Sequence, residues 1–162
     1  SAASDVYKRQ ISIIRYFLAA REGHTPEPPT ALSLTFGAEE IIVRPDDVLV
    51  RPDGSRTVRR VQTGHFRSAE ADDVGAATFL LAARRAFPDA EVELMHLSDQ
   101  STRPINLKAV KLRNRQERLS GFLADIRAGR FPAKASSRTC PGCPAFFVCG
   151  PTPSGTLEKK FV

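Results

Sequence analysis

Cys140, Cys143 and Cys149 fall within ten residues, in the run CPGCPAFFVC, and they are the only cysteines in the chain. The spacing C-x2-C-x5-C puts three thiols on one short loop. Thiolates are the soft ligands that zinc and iron–sulfur clusters select. Pro141, Gly142 and Pro144 bend the backbone tightly between the sulfurs. Both kinds of centre ordinarily take four protein ligands, so one is missing locally. A zinc site completed by histidine needs His24, His65 or His96 to return from far upstream. A disulfide framework is disfavoured, because the count is odd and nothing marks the chain as secreted.

The second chemical signal is basic charge. The 162 residues carry a formal net charge of +6, and arginine dominates the basic set. Arg59, Arg60 and Arg67 lie close in sequence, as do Arg113, Arg115 and Arg118. The planar guanidinium fork binds phosphate oxygens in pairs, so such a domain is compatible with nucleic acid. Charge alone describes a solvated surface equally well. No aromatic-interleaved stacking platform, Gly-rich phosphate loop or helix-turn-helix signature accompanies it.

The elements that must position these groups can be read from hydrophobic period. Ile11 to Arg21 carries apolar residues at 11, 13, 14, 17 and 18, one face of a helix. Residues 22–30 are Pro-rich and read as a connector. Ala31 to Phe36 alternates as a strand, and Glu40 to Arg51 is β-rich but interrupted by Pro45, which predicts a bulge or bend. Pro52-Asp53-Gly54 is a turn, and Arg56 to Gln62 is the returning strand of a hairpin. A helix is expected over Ala69–Phe87 with Ser68 as its N-cap, then a strand over Glu91–Ser98 with Val92, Leu94 and His96 on one face. Leu107 to Gly129 reads as a long helix, apolar at 112, 119, 122, 123 and 126. The order helix, three-strand meander, helix, strand, helix, cysteine loop predicts an α/β fold around a mixed sheet.

Length and composition fit one soluble domain with a core of its own. No apolar run approaches the roughly 20 residues of a membrane helix, and no secretory signal is present, so a cytoplasmic protein is expected. Asp5 to Gln10, DVYKRQ, resembles the in-frame translation of a transposon-end adapter used in sequencing libraries. Residues 1–10 are therefore expected to be non-native and the protein to continue upstream. The domain then spans 11–150, with the metal loop at 140–149 and a flexible tail at 151–162.

Three segments carry a family resemblance: VRPDDVLVRPDG, VRRVQTGH, and AGRFP followed by the cysteine run. Together with the element order they resemble the PD-(D/E)XK nuclease superfamily, with its restriction-endonuclease-like core. The closest likeness is to the RecB- and AddB-like nuclease domains of UvrD-type helicase–nucleases, over about residues 31–150. The resemblance implies a 4Fe–4S cluster on Cys140, Cys143 and Cys149, with the remaining cysteine upstream of the core. It also implies DNA as partner, helicase domains in the same polypeptide or a partner subunit, and a role in DNA repair or recombination. In that family an aspartate at a strand bend and an acid on the next strand hold Mg²⁺. A lysine two residues beyond the acid shares its face, since side chains repeat every second residue along a strand.

Carried over position by position, the catalytic set is degenerate. Asp46 matches the first aspartate, with Asp47 as substitute if the register shifts, but Arg60 stands at the second acid and Gln62 at the lysine. Thr63 and Gly64 match. On the following helix, Gly75 and Phe79 replace a glutamine and a tyrosine. Mg²⁺ takes hard oxygen ligands, and a guanidinium in its shell opposes it. The expectation is a DNA-binding nuclease fold without metal-dependent cleavage, in which Mg²⁺ is not retained and Arg59, Arg60 and Arg67 face phosphate. Two alternatives stand beside it. One is an active Mg²⁺-dependent nuclease whose carboxylates have migrated to Glu70, Asp72 or Asp73, although acids there also suit a helix start. The other is a zinc-bound protein-interaction module.

Overall fold

The computed structural model describes residues 2–131 and 135–144. The chain divides into two units at Phe122/Leu123. In the first unit, α1 (Ala2–Ala19) precedes β1 (Thr25–Glu27), β2 (Leu32–Phe36), β3 (Glu39–Val43), β4 (Asp47–Val50) and β5 (Arg56–Gln62). A 3-10 turn at Glu70–Asp72 leads into α2 (Val74–Ala86), followed by β6 (Glu91–His96) and β7 (Ser101–Pro104). The helix α3 (Ala109–Arg127) begins in the first unit and runs across the division. The result is the mixed-sheet α/β architecture expected: a five-stranded sheet ordered β1-β4-β5-β6-β7 and a separate two-stranded sheet, β2-β3.

The expected meander is divided between these two sheets. Pro45 has no amide to give to a ladder, and the chain breaks there instead of bending. Glu39–Val43 pairs back on β2, whereas pairing with β5 resumes when the Asp46 amide donates to the Arg59 carbonyl at 3.0 Å. The β4–β5 hairpin closes over Pro52-Asp53-Gly54 as expected. Gly54 sits at φ +84°, and the Asp53 carboxylate accepts from the Ser55 amide and hydroxyl.

Strands β5 and β6 run parallel, and α2 supplies the crossover such a pair requires. The α2 face of the sheet buries Val58, Val92 and Leu94 against Ala76, Phe79, Leu80 and Ala83, with Leu32 and Leu34 of β2 closing the layer. Every residue of β6 except Glu91 is buried, so this inner strand is covered on both faces. On the opposite face the end of α1 reaches the sheet, where the Tyr16 hydroxyl bonds Thr102 Oγ1 at 2.8 Å.

Four boundaries differ from expectation. The first helix starts at Ala2, because residues 2–10 hold good helix formers and no glycine or proline. β1 lies in the segment read as a connector, and β7 in a polar stretch with no strand pattern. The N-cap of α2 is Asp73, not Ser68: its side chain accepts from the Ala76 amide at 2.7 Å. Among the described residues, no helix is long and apolar enough to cross a membrane.

In the second unit, the Arg130 guanidinium folds onto Asp125 Oδ1 at the end of α3. A 3-10 turn, Cys140–Gly142, carries the first cysteine of the cluster. Cys149 and the tail at 151–162 lie outside the described residues.

Candidate functional site

Strand register decides what each residue of the candidate set can reach. The hairpin pairs Asp47 with Arg59, and the parallel ladder pairs Arg59 with Glu93. These three side chains form a row on the α1 face of the sheet. Asp47 is fully buried and accepts from Arg21 Nε at 3.0 Å and Nη2 at 2.6 Å. Arg59, 5% exposed, donates from Nε to Glu93 at 2.6 Å, and its Nη1 stands 3.5 Å from Asp47 Oδ2. The hydrogen bonds that Arg21 donates to Asp47 raise its pKa above the ordinary value, against the opposing effect of burial. Two expectations are corrected here. Arg59 does not face DNA, because it is buried and spent on two carboxylates, and Asp47 cannot substitute for Asp46 as a metal ligand.

Asp46 lies in the bend just before β4, beyond the last ladder pair Asp47–Arg59, and its amide still donates to the Arg59 carbonyl at 3.0 Å. Asp46 is exposed, and its Oδ2 accepts the Val61 amide at 2.8 Å. Alternation sends Arg60 and Gln62 to the α2 face, where they line a cavity of about 310 Å³. Gly75 and Phe79 of α2 line the same cavity, together with Glu70 and Asp73. The positions that the resemblance assigns to chemistry on β5 and α2 therefore converge, although their residue types differ from the family's. The cavity sits toward the carboxyl ends of the two parallel strands, where open α/β sheets place their ligands.

Glu70 is the most heavily engaged acid there. Burial pushes its carboxyl up, but hydrogen bonds from Gln62, His96 and the Arg67 amide outweigh that and hold its pKa below the ordinary 4.5. His96 is fully buried, with Nε2 3.1 Å from Glu70 Oε2 and no hydrogen-bond partner at Nδ1. The Phe66 ring meets the imidazole edge-on, with centroids 5.2 Å apart. The neighbouring loops are tied by Asp99, which accepts from the Phe66 amide and pairs with His65 Nδ1. Arg67 is exposed and borders a second recess with Glu70 and Asp73.

Of the acids that might have migrated, only Glu70 enters the cluster as a side chain not already spent on helix structure. Asp72 pairs with Lys111 at 2.6 Å, and Asp73 caps α2. The Glu70–His96 pair carried no sequence signal beyond the period-2 placement of His96 beside Val92 and Leu94.

The residues present do not fit Mg²⁺. Asp46 is the one acid at the assigned positions, Arg60 stands at the second acid position, and divalent ions of this kind need several oxygen ligands. Among the described residues, no three His, Cys, Asp or Glu side chains group as a metal site would require. Cys140 and Cys143 do have the donor chemistry of a thiolate centre. Cys140 is buried in the 3-10 turn, its sulfur accepts the Ser136 amide at 3.2 Å, and the Cys143 amide returns to the Cys140 carbonyl at 3.1 Å. Amide donors to a ligating sulfur tune the metal that it binds. No family model matches the chain, and no curated protein matches it.

Proposed function

We propose that this chain is a DNA-binding domain of PD-(D/E)XK nuclease-like fold that has exchanged metal-dependent cleavage for phosphate recognition by charge. One observation carries the reading. Arg60, Gln62, Gly75 and Phe79 come from a strand and a helix far apart in sequence, yet line one cavity. A guanidinium at that point attracts a phosphate and repels a divalent cation, both by Coulomb's law. Exposed Arg67 borders the adjoining recess and brings a second guanidinium to this side of the sheet.

The larger setting follows from the resemblance. The domain would serve a cytoplasmic helicase–nuclease in DNA repair or recombination, with its cysteine loop holding a 4Fe–4S cluster or zinc that closes the domain. Metal analysis of anaerobically purified protein distinguishes these, since only iron gives thiolate-to-metal charge-transfer colour.

The decisive experiment measures binding of labelled DNA as a function of salt, and cleavage in Mg²⁺ and Mn²⁺. Binding should fall steeply with salt, because neutralised phosphates release counterions. Arg60→Ala should lower the slope of log affinity against log salt by about 1 if one phosphate contact is lost. Robust Mg²⁺- or Mn²⁺-stimulated cleavage that disappears in Asp46→Ala overturns the proposal. Cleavage that survives Asp46→Ala but disappears in Glu70→Gln favours a migrated active site, to which Glu70 in this cavity points. Absence of any DNA affinity leaves the zinc-bound interaction module.

A further inference from the structure

A second cavity, of about 480 Å³, lies where the start of α2 faces α3. Ligand pockets commonly span about 300–1,000 Å³, so its size suits a small molecule or one unit of a polymer. Its cations are Arg115 and Arg118, and its one aromatic wall is Phe122. The acids beside them are already engaged. Asp72 pairs with Lys111 at 2.6 Å, and Asp73 accepts the Ala76 amide at 2.7 Å. That bond also occupies the N-terminal end of α2, so the cations that can meet a ligand here are the two arginines.

Arg115 donates from Nε to the Asp72 carbonyl at 2.5 Å, which fixes the guanidinium without neutralising it. Among the described residues neither Arg115 nor Arg118 forms an ion pair. Arg118 lies over the Phe122 ring at 5.4 Å from guanidinium carbon to centroid. Phe122 is 39% exposed, so part of its ring is open to solvent. A ring partly open to solvent, stacked on one guanidinium and about two helical turns from another, matches a flat base carrying a phosphate.

We infer that this cavity binds a nucleotide, with its base against Phe122 and its phosphate between Arg115 and Arg118. The inference does not rest on the nuclease-like reading, because a free nucleotide would satisfy the site as well as one exposed in a single strand. A continuous duplex keeps its bases stacked and offers none.

The test uses the full chain, a labelled oligothymidylate followed by fluorescence anisotropy, and thymidine and adenosine monophosphates followed by saturation-transfer NMR. Circular dichroism establishes that each variant is folded. Phe122→Ala and Phe122→Leu should each weaken the strand roughly 5- to 150-fold, the range of base–aromatic stacking, and Phe122→Tyr should restore it. Arg118→Gln should weaken it as well, whereas affinity for a blunt duplex should not change with residue 122. Binding of the monophosphates alone, lost in Phe122→Ala, assigns the site to a free nucleotide and supports the inference while the DNA-binding reading falls. Strand binding that is weakened by Arg60→Ala but unchanged in Phe122→Ala and Arg118→Gln overturns the inference and leaves that reading standing. Wild-type binding by Phe122→Leu excludes stacking, and failure of strand and monophosphates alike to bind at millimolar concentration overturns the site itself.

Discussion

Asp47, Arg59 and Glu93 occupy directly paired positions on three adjacent strands, and Arg21 in the turn after α1 completes the row. Buried charges of this kind gain little over apolar packing, but removing one member strands the others without a partner. Asp47→Ala should therefore cost about 3–5 kcal/mol in urea unfolding, the usual penalty for breaking a buried pair. Adding Arg59→Met should recover part of that loss, because it removes the stranded charge. A single-variant cost below about 1 kcal/mol would show that the row is solvated and not a support. The distinction between Asp46 and Asp47 was within reach of the sequence. A turn at 52–54 that pairs Val50 with Arg56 also sets Asp47, not Asp46, against Arg59 and leaves Arg60 beyond the last pair. Period-2 alternation then separates the two arginines onto opposite faces. Reading the arginines as one basic cluster missed this, because closeness in sequence says nothing about the face of a strand.

The hairpin, the crossover helix and the central parallel strand were legible because each had a strong local cue: a Pro-Asp-Gly turn, a long apolar period, and a β-rich run ended by a loop. β1 and β7 were not, since Thr-Pro-Glu and Ser-Thr-Arg-Pro have no alternation and depend on their neighbours for a ladder. The start of α2 was ambiguous for another reason. Ser68, Asp72 and Asp73 can all cap a helix, and sequence alone does not say which adopts the extended backbone that the role requires. Asp73 does, at φ −80° and ψ 176°, and the preceding turn of residues 70–72 delivers Glu70 to the cavity. Asp73→Ala should destabilise the protein by about 1 kcal/mol, whereas Asp73→Ser should retain most of the stability. Thermal or urea unfolding of the pair separates a capping role from simple removal of charge, for which serine and alanine would be equally costly.

Across the whole molecule, Arg60, Gln62, Gly75 and Phe79 line one cavity, but the acid–imidazole pair beside it comes from other residues. Glu70 and His96 meet only because the parallel pairing of β5 and β6 brings Gln62 beside His96, a contact between distant segments. Their arrangement has a consequence for the response of the fold to acid. The hydrogen bond from Arg56 holds Glu27 below its ordinary 4.5, and that from Ser55 holds Asp53 below 3.8. His65, followed by the Phe66 amide, does the same for Asp99, and Glu70 is held low against the pull of burial. A carboxyl with a lowered folded pKa binds fewer protons than its unfolded counterpart throughout the interval between the two values, so stability rises with pH there. Each contribution is complete above the ordinary value and lost as pH falls through the folded one. Unfolding midpoints should therefore be level in carboxylate titration above about pH 5 and decline from about pH 4.5 downward. Glu70→Gln removes one titrating group from the set, so its midpoint should fall less steeply over the same acid range than that of the unaltered chain. Parallel curves for the two proteins would mean that Glu70 is bonded no better in the folded state than in the unfolded one.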